Sequence, residues 1–300
     1  MHTPAELNER LTSTRFGEFQ EVKPPDPLYH YTSQAGLLSI IKTGELWATK
    51  VQYMNDSTEF GRAVDLGRTR LLSRSVHTVP VDKILTRLDG IANINICSVS
   101  FCRNPDLLSQ WRGYSRSGSG YAIGFYSGAL LETAKKHGCR LGRCIYDEET
   151  QIHIIDELID QINRRSTKYS DIDPDVLLTL LSNSFAEALI EFGAFFKDIG
   201  FQEEDEWRLV TDIKLYRELA FEFRLGKSML IPYYRLDVSN GSWKDKIAHV
   251  MVGPCPHPLI SKQAITGLLV NQSVTTENWP AIPRPTHPPV DISKILYRSW

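Results

Sequence analysis

Apolar and polar residues alternate near the start of the chain and then change to helical spacing. The stretch from Leu28 to Tyr31 alternates and is rich in aromatic residues, which predicts a first strand. Thr32 or Ser33 then offers a hydroxyl that can cap a helix. The apolar face of that helix consists of Leu37, Leu38, Ile40 and Ile41. Gly44 is placed to end the helix with a positive φ, and residues 46–49 predict a second strand.

Further apolar stretches predict the rest of a sheet. The predicted strands are 94–101, 120–125, 141–146, 204–211, 220–223, 229–238 and 248–252, with a last short element at 290–298. Short helices are predicted over 128–137 and 259–265, and two long helices interrupt the strands at about 147–197. Asp173 is placed to cap the second long helix, with Pro174 at its first position. Strands mixed with helices in no regular alternation predict an α+β fold with a mostly antiparallel or mixed sheet.

Length and charge set the broad class. The chain has 300 residues, 42% of them hydrophobic, which is typical of a soluble globular protein with a substantial core. We expect a polar lead-in over residues 1–27 and one α+β domain over 28–300. A net charge of -2 does not imply nucleic acid as a partner. No segment looks like a signal peptide or approaches the roughly 18 apolar residues of a membrane helix, so we expect a cytoplasmic protein with no membrane partner.

The five cysteines are odd in number and lie in or beside apolar stretches. This pattern favours reduced thiols that serve as small core residues. A zinc site is the less favoured alternative, and its ligands would be Cys139, Cys144, Cys255 and His257.

The stretch FKDIGFQEEDEWRLV carries the richest chemistry. If residues 204–208 are extended, Glu204, Glu206 and Arg208 point to one face of a strand. Two carboxylates and a guanidinium are costly to bury unless they pair with one another or with a ligand. They therefore indicate either a site that stabilises charge or binds a sugar hydroxyl, or a solvated charged face on an edge strand.

Three further segments contain candidates with competing structural explanations. In NDSTE, Asp56 or Ser57 can cap a helix with Glu59 reaching back, which explains the motif without a binding role for Asn55.

The segment SQWRGYSRSGSG is predicted to be a loop. Trp111 and Tyr114 there can form a stacking wall for a base or a nicotinamide ring, whereas the glycines suit a hairpin connection. Taken alone, His30 is best explained as a hydrogen-bonded strand histidine.

Eight short motifs occur in a recognisable order: YHYTS, NDSTE, SVSFC, LLSQWRGY, GYAIGF, EEDEWR, VGP and ILYR. In this the chain resembles the bacterial domain-of-unknown-function family 2971, from about Leu28 to Arg298. The departures are Ser57 and Leu296, where prolines are common, and a long helical insert. The family supplies no activity.

A more distant resemblance implies an enzymatic activity. The strand bearing H-x-T, the short helix, the glycine and the second strand resemble the opening of ADP-ribosyltransferase folds, which implies a split sheet. It also implies that His30 holds the ribose side of NAD, that Tyr114 or Trp111 stacks on nicotinamide, and that Glu206 or Glu204 binds the ribose 2′-hydroxyl. The implied cofactor contacts are completed by Thr32, Asn55 and Arg208.

These resemblances predict an enzyme that transfers ADP-ribose from NAD or cleaves NAD, in a bacterial defence or stress setting. Glu206 is the predicted catalytic carboxylate, with Glu204 as its partner, because a carboxylate stabilises the positive ribose of the transition state. The ligand would be a nucleotide-type small molecule, the acceptor macromolecule is not identified, and no metal is predicted. This set requires His30 and Glu206 to share one pocket.

Two alternatives remain open. The first is a metal-dependent nuclease or phosphoesterase in which four carboxylates hold Mg²⁺ or Mn²⁺, a hard ion that prefers oxygen ligands. Those carboxylates would be Asp56, Glu59, Glu204 and Glu206. The second is a non-catalytic accessory protein that binds a nucleotide without turnover.

Overall fold

The computed structural model describes residues 23–54, 57–74, 81–89, 95–114, 120–212, 221–226, 228–274 and 287–295, and the side chains of 57–60 and 89 are not described. Several predictions therefore lie outside the described residues. These are most of the lead-in, Asn55 and Asp56, the glycine-containing loop 115–119 and the closing segment 296–300.

The described residues form ten strands and eight α-helices. The strands are β1 (Leu28–Ser33), β2 (Glu45–Lys50), β3 (Cys97–Cys102), β4 (Gly120–Phe125), β5 (Cys139–Arg143), β6 (Glu206–Thr211), β7 (Glu222–Leu225), β8 (Leu230–Asp237), β9 (Ile247–Val252) and β10 (Val290–Ile292). The helices are α1 (Gln34–Thr43), α2 (Ser57–Ser73), α3 (Val81–Asp89), α4 (Leu108–Tyr114), α5 (Ser127–His137), α6 (Glu148–Lys168), α7 (Pro174–Gly193) and α8 (Pro258–Asn271).

All ten strands join one sheet that splits at β3. The order β10-β9-β4-β1-β3 continues on one side to β2-β8-β7 and on the other to β6-β5. One edge of β3 pairs with β1 at Cys102 and with β2 at Ser98 and Cys97, and its other edge pairs with β6. Among the named strands of the described residues, β9 and β10 alone pair in parallel, so the predicted α+β fold with a mostly antiparallel or mixed sheet is confirmed.

The segment β1–α1–β2 forms as its sequence predicts. Ser33, rather than Thr32, caps α1, because its side chain accepts a hydrogen bond from the Gly36 amide at 3.2 Å. Gly44 ends α1 in the left-handed conformation with φ 74°. A side chain at this position would be strained and would also collide with Ser239, so glycine is required.

Helices cover both faces of the sheet. We name the side that carries α1, α5 and α8 the histidine face, because His30 points to it, and its core includes Leu28, Phe101 and Trp207. Helices α2, α3, α6 and α7 pack on the opposite side, where their apolar residues reach Val210 of β6. This second side also carries a smaller aromatic cluster around Tyr31. We name it the glutamate face, because Glu206 points to it.

Helices α6 and α7 lie between β5 and β6 in the chain, while those two strands pair directly. Asp147 caps α6 by accepting the amide hydrogen of Thr150 at 2.8 Å, and Asp173 caps α7 ahead of Pro174. Among the described helices, Pro174–Gly193 is long and apolar enough to cross a membrane, but 72% of its most apolar stretch is buried inside the protein. This is the burial of a core helix in a folded domain.

Candidate functional site

Four charged residues meet on the glutamate face, between the helix layer and the aromatic cluster. Glu206 accepts hydrogen bonds from Arg208, at 2.8 Å from Nε to Oε1 and at 3.1 Å from a terminal nitrogen to Oε2. The Lys197 ammonium bonds the same Oε2 and also Oε2 of Glu204, the latter at 2.5 Å. We name Lys197, Glu204, Glu206 and Arg208 the charged cluster. It contains two carboxylates and two cations, so its charges balance.

Burial within the charged cluster is uneven. The side chains of Glu206 and Lys197 are 3% and 7% exposed, whereas that of Glu204 is 16% exposed. Among the described residues, Glu204 bonds Lys197 through Oε2 alone, whereas both oxygens of Glu206 are occupied. Glu204 is therefore the more accessible carboxylate of the cluster.

The position of Glu204 differs from the one predicted. Residues Ile199–Glu204 form a 3-10 helix, Asp205 adopts the left-handed conformation with φ 39°, and the strand begins only at Glu206. Glu204 and Glu206 therefore do not share a face by strand alternation. They come together because the turn at Asp205 folds Glu204 back onto Lys197. Asp205 itself bonds the guanidinium of Arg143, with the Nε to Oδ1 distance 2.8 Å, which supports the turn.

Lys197 is held by its backbone as well as its side chain. Its amide donates to the Ile145 carbonyl at 3.1 Å, and its carbonyl accepts from the Gln151 side chain at 3.0 Å. The ammonium also lies 5.2 Å from the centre of the Phe201 ring, within cation–π distance. These contacts place a fixed ammonium between two carboxylates.

The charges of the cluster keep Glu206 ionised. Burial by itself raises the pKa of this carboxyl, but the positive charges and hydrogen bonds of Arg208 and Lys197 outweigh burial and lower the pKa to about 2. A carboxylate buried this deeply would otherwise favour its neutral form.

Two tyrosines and a cysteine border the cluster. The Glu206 amide donates to the Tyr146 hydroxyl at 2.8 Å, and Cys102 is the cross-strand partner of Glu206. Burial raises the pKa of Tyr114 to about 12, with a further contribution from the negative charge of Glu206. Tyr114 thus lies near Glu206 and keeps its phenol neutral at ordinary pH. The predicted residues that the structure brings together are Glu204, Glu206, Arg208 and Tyr114.

His30 and Thr32 do not join this group. Tyr29 pairs with Cys102, and Cys102 pairs with Glu206, so these three side chains point to the glutamate face. His30 follows Tyr29 and therefore points to the histidine face, with Thr32 two residues further along the same side. The predicted shared pocket of His30 and Glu206 is wrong.

The contacts of His30 explain its presence. Its Nδ1 donates to the carbonyl oxygen of Ser100 at 3.0 Å, and its ring lies 5.8 Å from that of Phe101. Ser100 lies where β1 and β2 diverge along the edge of β3. Burial lowers the pKa of His30, and its hydrogen bond to Ser100 opposes that shift. His30 is thus a neutral histidine that satisfies a backbone carbonyl at the split.

Trp111 is a core residue and not part of an exposed wall. The predicted loop is helical over Leu108–Tyr114, and Trp111 is completely buried against Tyr31, with the ring centres 4.7 Å apart. Its indole nitrogen donates to Asp106 at 2.7 Å. The same carboxylate also accepts from the Ser293 hydroxyl and the Lys294 amide, which attaches residues 293 and 294 to this region.

The remaining predictions concern metals and thiols. Within the described ranges, no three or more histidine, cysteine, aspartate or glutamate side chains are grouped as a metal site would require. The alternative zinc set of Cys139, Cys144, Cys255 and His257 is therefore not assembled. All five cysteines are free, and Cys97, Cys102 and Cys144 are buried. Asn55, Asp56 and the Glu59 side chain lie outside what is described.

Lys197 was missed by reasoning from the sequence. The available signal was charge compensation, since two carboxylates at positions 204 and 206 need more than one cation if they are buried, and Arg208 supplies only one. A lysine directly after two phenylalanines, in the stretch AFFKDIGF, is itself unusual. The role of Tyr146 left no such signal, because its hydroxyl bonds a backbone amide.

The model of the family described as protein of unknown function (DUF2971) matches residues 110–209, which is 100 of the 300 residues. This match supports the predicted resemblance to the family over residues 110–209, and it spans Tyr114 and the whole charged cluster. The family description names no activity. No curated protein and no solved structure matches the chain.

Proposed function

We propose that this protein cleaves the bond between nicotinamide and ribose in NAD and transfers or releases ADP-ribose, with its chemistry at the charged cluster. The observation that carries the proposal is the fixed carboxylate pair at positions 204 and 206, in which Glu204 is the more exposed of the two. Breaking this bond sends its electron pair to nicotinamide and leaves positive charge on the ribose. A preorganised carboxylate stabilises such an oxocarbenium-like state.

In this proposal the two glutamates have different roles, in keeping with their different exposures. Both oxygens of Glu206 already bond Lys197 and Arg208, so Glu206 acts as a positioning residue that fixes the two cations. Glu204 touches the substrate. Its Oε1, which has no hydrogen bond within the described part of the chain, accepts a hydrogen bond from a ribose hydroxyl, or takes the proton of the water or acceptor that attacks the ribose carbon. This reverses the order of importance expected from the sequence.

Tyr114 supports the proposal as an aromatic group beside the carboxylates. Its ring is half-buried and close enough to Glu206 for that charge to affect its pKa. A ring in this position stacks on nicotinamide and excludes water from the breaking bond. His30 has no part in this site, and its contacts are those of a structural residue.

The experiment is to incubate the purified protein with NAD and measure released nicotinamide by liquid chromatography. Glu204→Gln keeps the shape of the side chain but removes its charge, so we expect a fall in rate of about 100-fold or more, as for loss of one preorganised electrostatic group. Glu203→Gln is the matched control, because Glu203 is exposed and one residue away. We expect it to leave the rate unchanged.

Two results would overturn the proposal. One is a wild-type protein that neither binds nor consumes NAD. The other is a Glu204→Gln protein that releases nicotinamide as fast as wild type. Binding of NAD without turnover would support the accessory-protein alternative instead.

No observation favours the metal-dependent alternative at this site. The ammonium of Lys197 lies between Glu204 and Glu206, where a divalent cation would have to bind. Hard cations need several oxygen ligands that are free of competing positive charge.

A further inference from the structure

A second feature of the glutamate face is an exposed pair of stacked aromatic rings on β2 and β8. Trp47 is 40% exposed, although the residues on either side of it, Leu46 and Ala48, are completely buried. Its ring stacks on that of Tyr233, with centres 4.4 Å apart and planes 22° from parallel. We name Trp47 and Tyr233 the aromatic platform. One ring of the platform is covered and the other remains open to solvent.

The buried ring of the platform, that of Tyr233, is held in place by a hydrogen bond. Tyr233 is buried, and its hydroxyl donates to Glu222 at 3.0 Å. Arg235 is the cross-strand partner of Trp47, and its guanidinium lies 2.8 Å from Glu222 and 3.6 Å from Glu45. A guanidinium and two carboxylates therefore lie beside the exposed ring of Trp47.

Strand pairing places the platform on the same side of the sheet as the charged cluster. Thr49 pairs with Ser98, and Ser98 pairs with Val210, so these residues share a face with Trp47 and Glu206. At this level β2 and β6 flank β3, so their backbones lie roughly 10 Å apart, two strand spacings. The platform and the charged cluster are separate groups of residues on one face.

Polar atoms near the platform have unused hydrogen-bonding capacity. Ser98 is buried, and its hydroxyl has no hydrogen-bond partner among the described residues. Arg224 donates to the Thr49 hydroxyl at 3.1 Å, but its buried Nε likewise has no partner within the part of the chain that is described. Ser98 and Arg224 therefore place further polar groups beneath the platform, beside the Thr49 hydroxyl.

We propose that the aromatic platform binds the base of a nucleotide. A flat base stacks on the open face of Trp47, and the edge of the base or its ribose hydroxyls bond the arginines and carboxylates around it. This inference does not depend on NAD cleavage.

The surrounding charges favour a small nucleotide over a nucleic acid strand. Arg224 and Arg235 are balanced by Glu45 and Glu222 in the same neighbourhood. A surface that follows a phosphate backbone carries a clear excess of cations, and the whole chain has a net charge of -2. The platform therefore suits a base and ribose with one or two phosphates.

The test is calorimetric titration with adenosine 5′-monophosphate of the full chain and its Trp47→Ala and Trp47→Phe variants. Loss of the stacking ring should weaken binding about 10-fold, whereas phenylalanine keeps a ring and should bind within about 3-fold of wild type. Phe223→Ala is the matched control, because Phe223 is also exposed but points to the opposite side of the sheet. We expect it to bind the nucleotide as wild type does.

The outcomes separate this inference from the proposed function. Glu204→Gln should bind adenosine 5′-monophosphate normally, and a wild-type protein that binds it through Trp47 but consumes no NAD would support the platform alone. Absence of binding by wild type, or equal binding by wild type and Trp47→Ala, would overturn the inference. A short single-stranded oligonucleotide that binds more tightly than the mononucleotide, with strong salt dependence, would also overturn it.

Discussion

The central polar residues on the two faces of the sheet, His30 and Glu206, have different kinds of contacts. His30 on the histidine face has one fixed backbone partner, the Ser100 carbonyl, and an aromatic neighbour in Phe101. Glu206 on the glutamate face belongs to a group of four charges, one of which, Glu204, is partly exposed. Both residues lie in segments that resemble functional motifs. The comparison teaches that a buried polar residue on the histidine face satisfies a backbone group, whereas the one on the glutamate face lies beside a partly exposed carboxylate.

The variant with the largest expected effect removes the Lys197 ammonium, which Glu204 and Glu206 share. Lys197→Met leaves two carboxylates to share the remaining guanidinium, so we expect a loss of about 3–5 kcal/mol in the free energy of unfolding, measured with urea. Lys42→Met, at an exposed position of α1, is the control and should change this free energy by less than about 0.5 kcal/mol.

A double variant, Lys197→Met with Glu206→Gln, sharpens the result. Removing one negative charge along with the positive one restores the balance of charge, so part of the lost stability should return. If Lys197→Met is as stable as wild type, the charged cluster does not hold this face together.

The second test uses pH. The pKa of Glu206 is about 2 in the folded protein, against 4.5 ordinarily, so its ionised form stabilises the fold. This contribution, about 3 kcal/mol, is complete above a pH of about 5 and is lost as the pH falls toward 2. Urea unfolding across this range should therefore show a steeper acid loss for wild type than for Glu206→Gln. Equal slopes would contradict the ionised state of Glu206.

The smallest effect is expected on the histidine face. His30→Leu leaves the Ser100 carbonyl without its donor and should cost about 1–3 kcal/mol in unfolding free energy. His257→Leu, at an exposed position, should have almost no effect. A His30→Leu protein that is as stable as wild type would show that this hydrogen bond has no structural role.

Local sequence determined the elements well, because local chemistry forms them. The hydroxyl of Ser33, the positive φ of Gly44 and the cap at Asp173 all act within a few residues, and each was predictable. The strand at 141–146 was displaced to Cys139–Arg143, and the helix at 259–265 extends to Pro258–Asn271, since periodicity fixes the ends of elements poorly.

The site was harder to predict because it depends on pairing between distant strands. Whether His30 and Glu206 share a face is decided by how β1, β3 and β6 align, which alternation within one strand does not show. Trp111 became a core residue because Tyr31 and the helix around it bury its ring. Glu204 joined the cluster through a turn at Asp205 that strand periodicity did not indicate.

The most direct test of the central claim compares nicotinamide release from NAD by wild type, Glu204→Gln and His30→Leu under identical conditions. The claim that chemistry belongs to the glutamate face predicts that wild type releases nicotinamide, that Glu204→Gln loses about 100-fold of that rate, and that folded His30→Leu keeps it. A His30→Leu protein that is folded but inactive, beside an active Glu204→Gln protein, would contradict it.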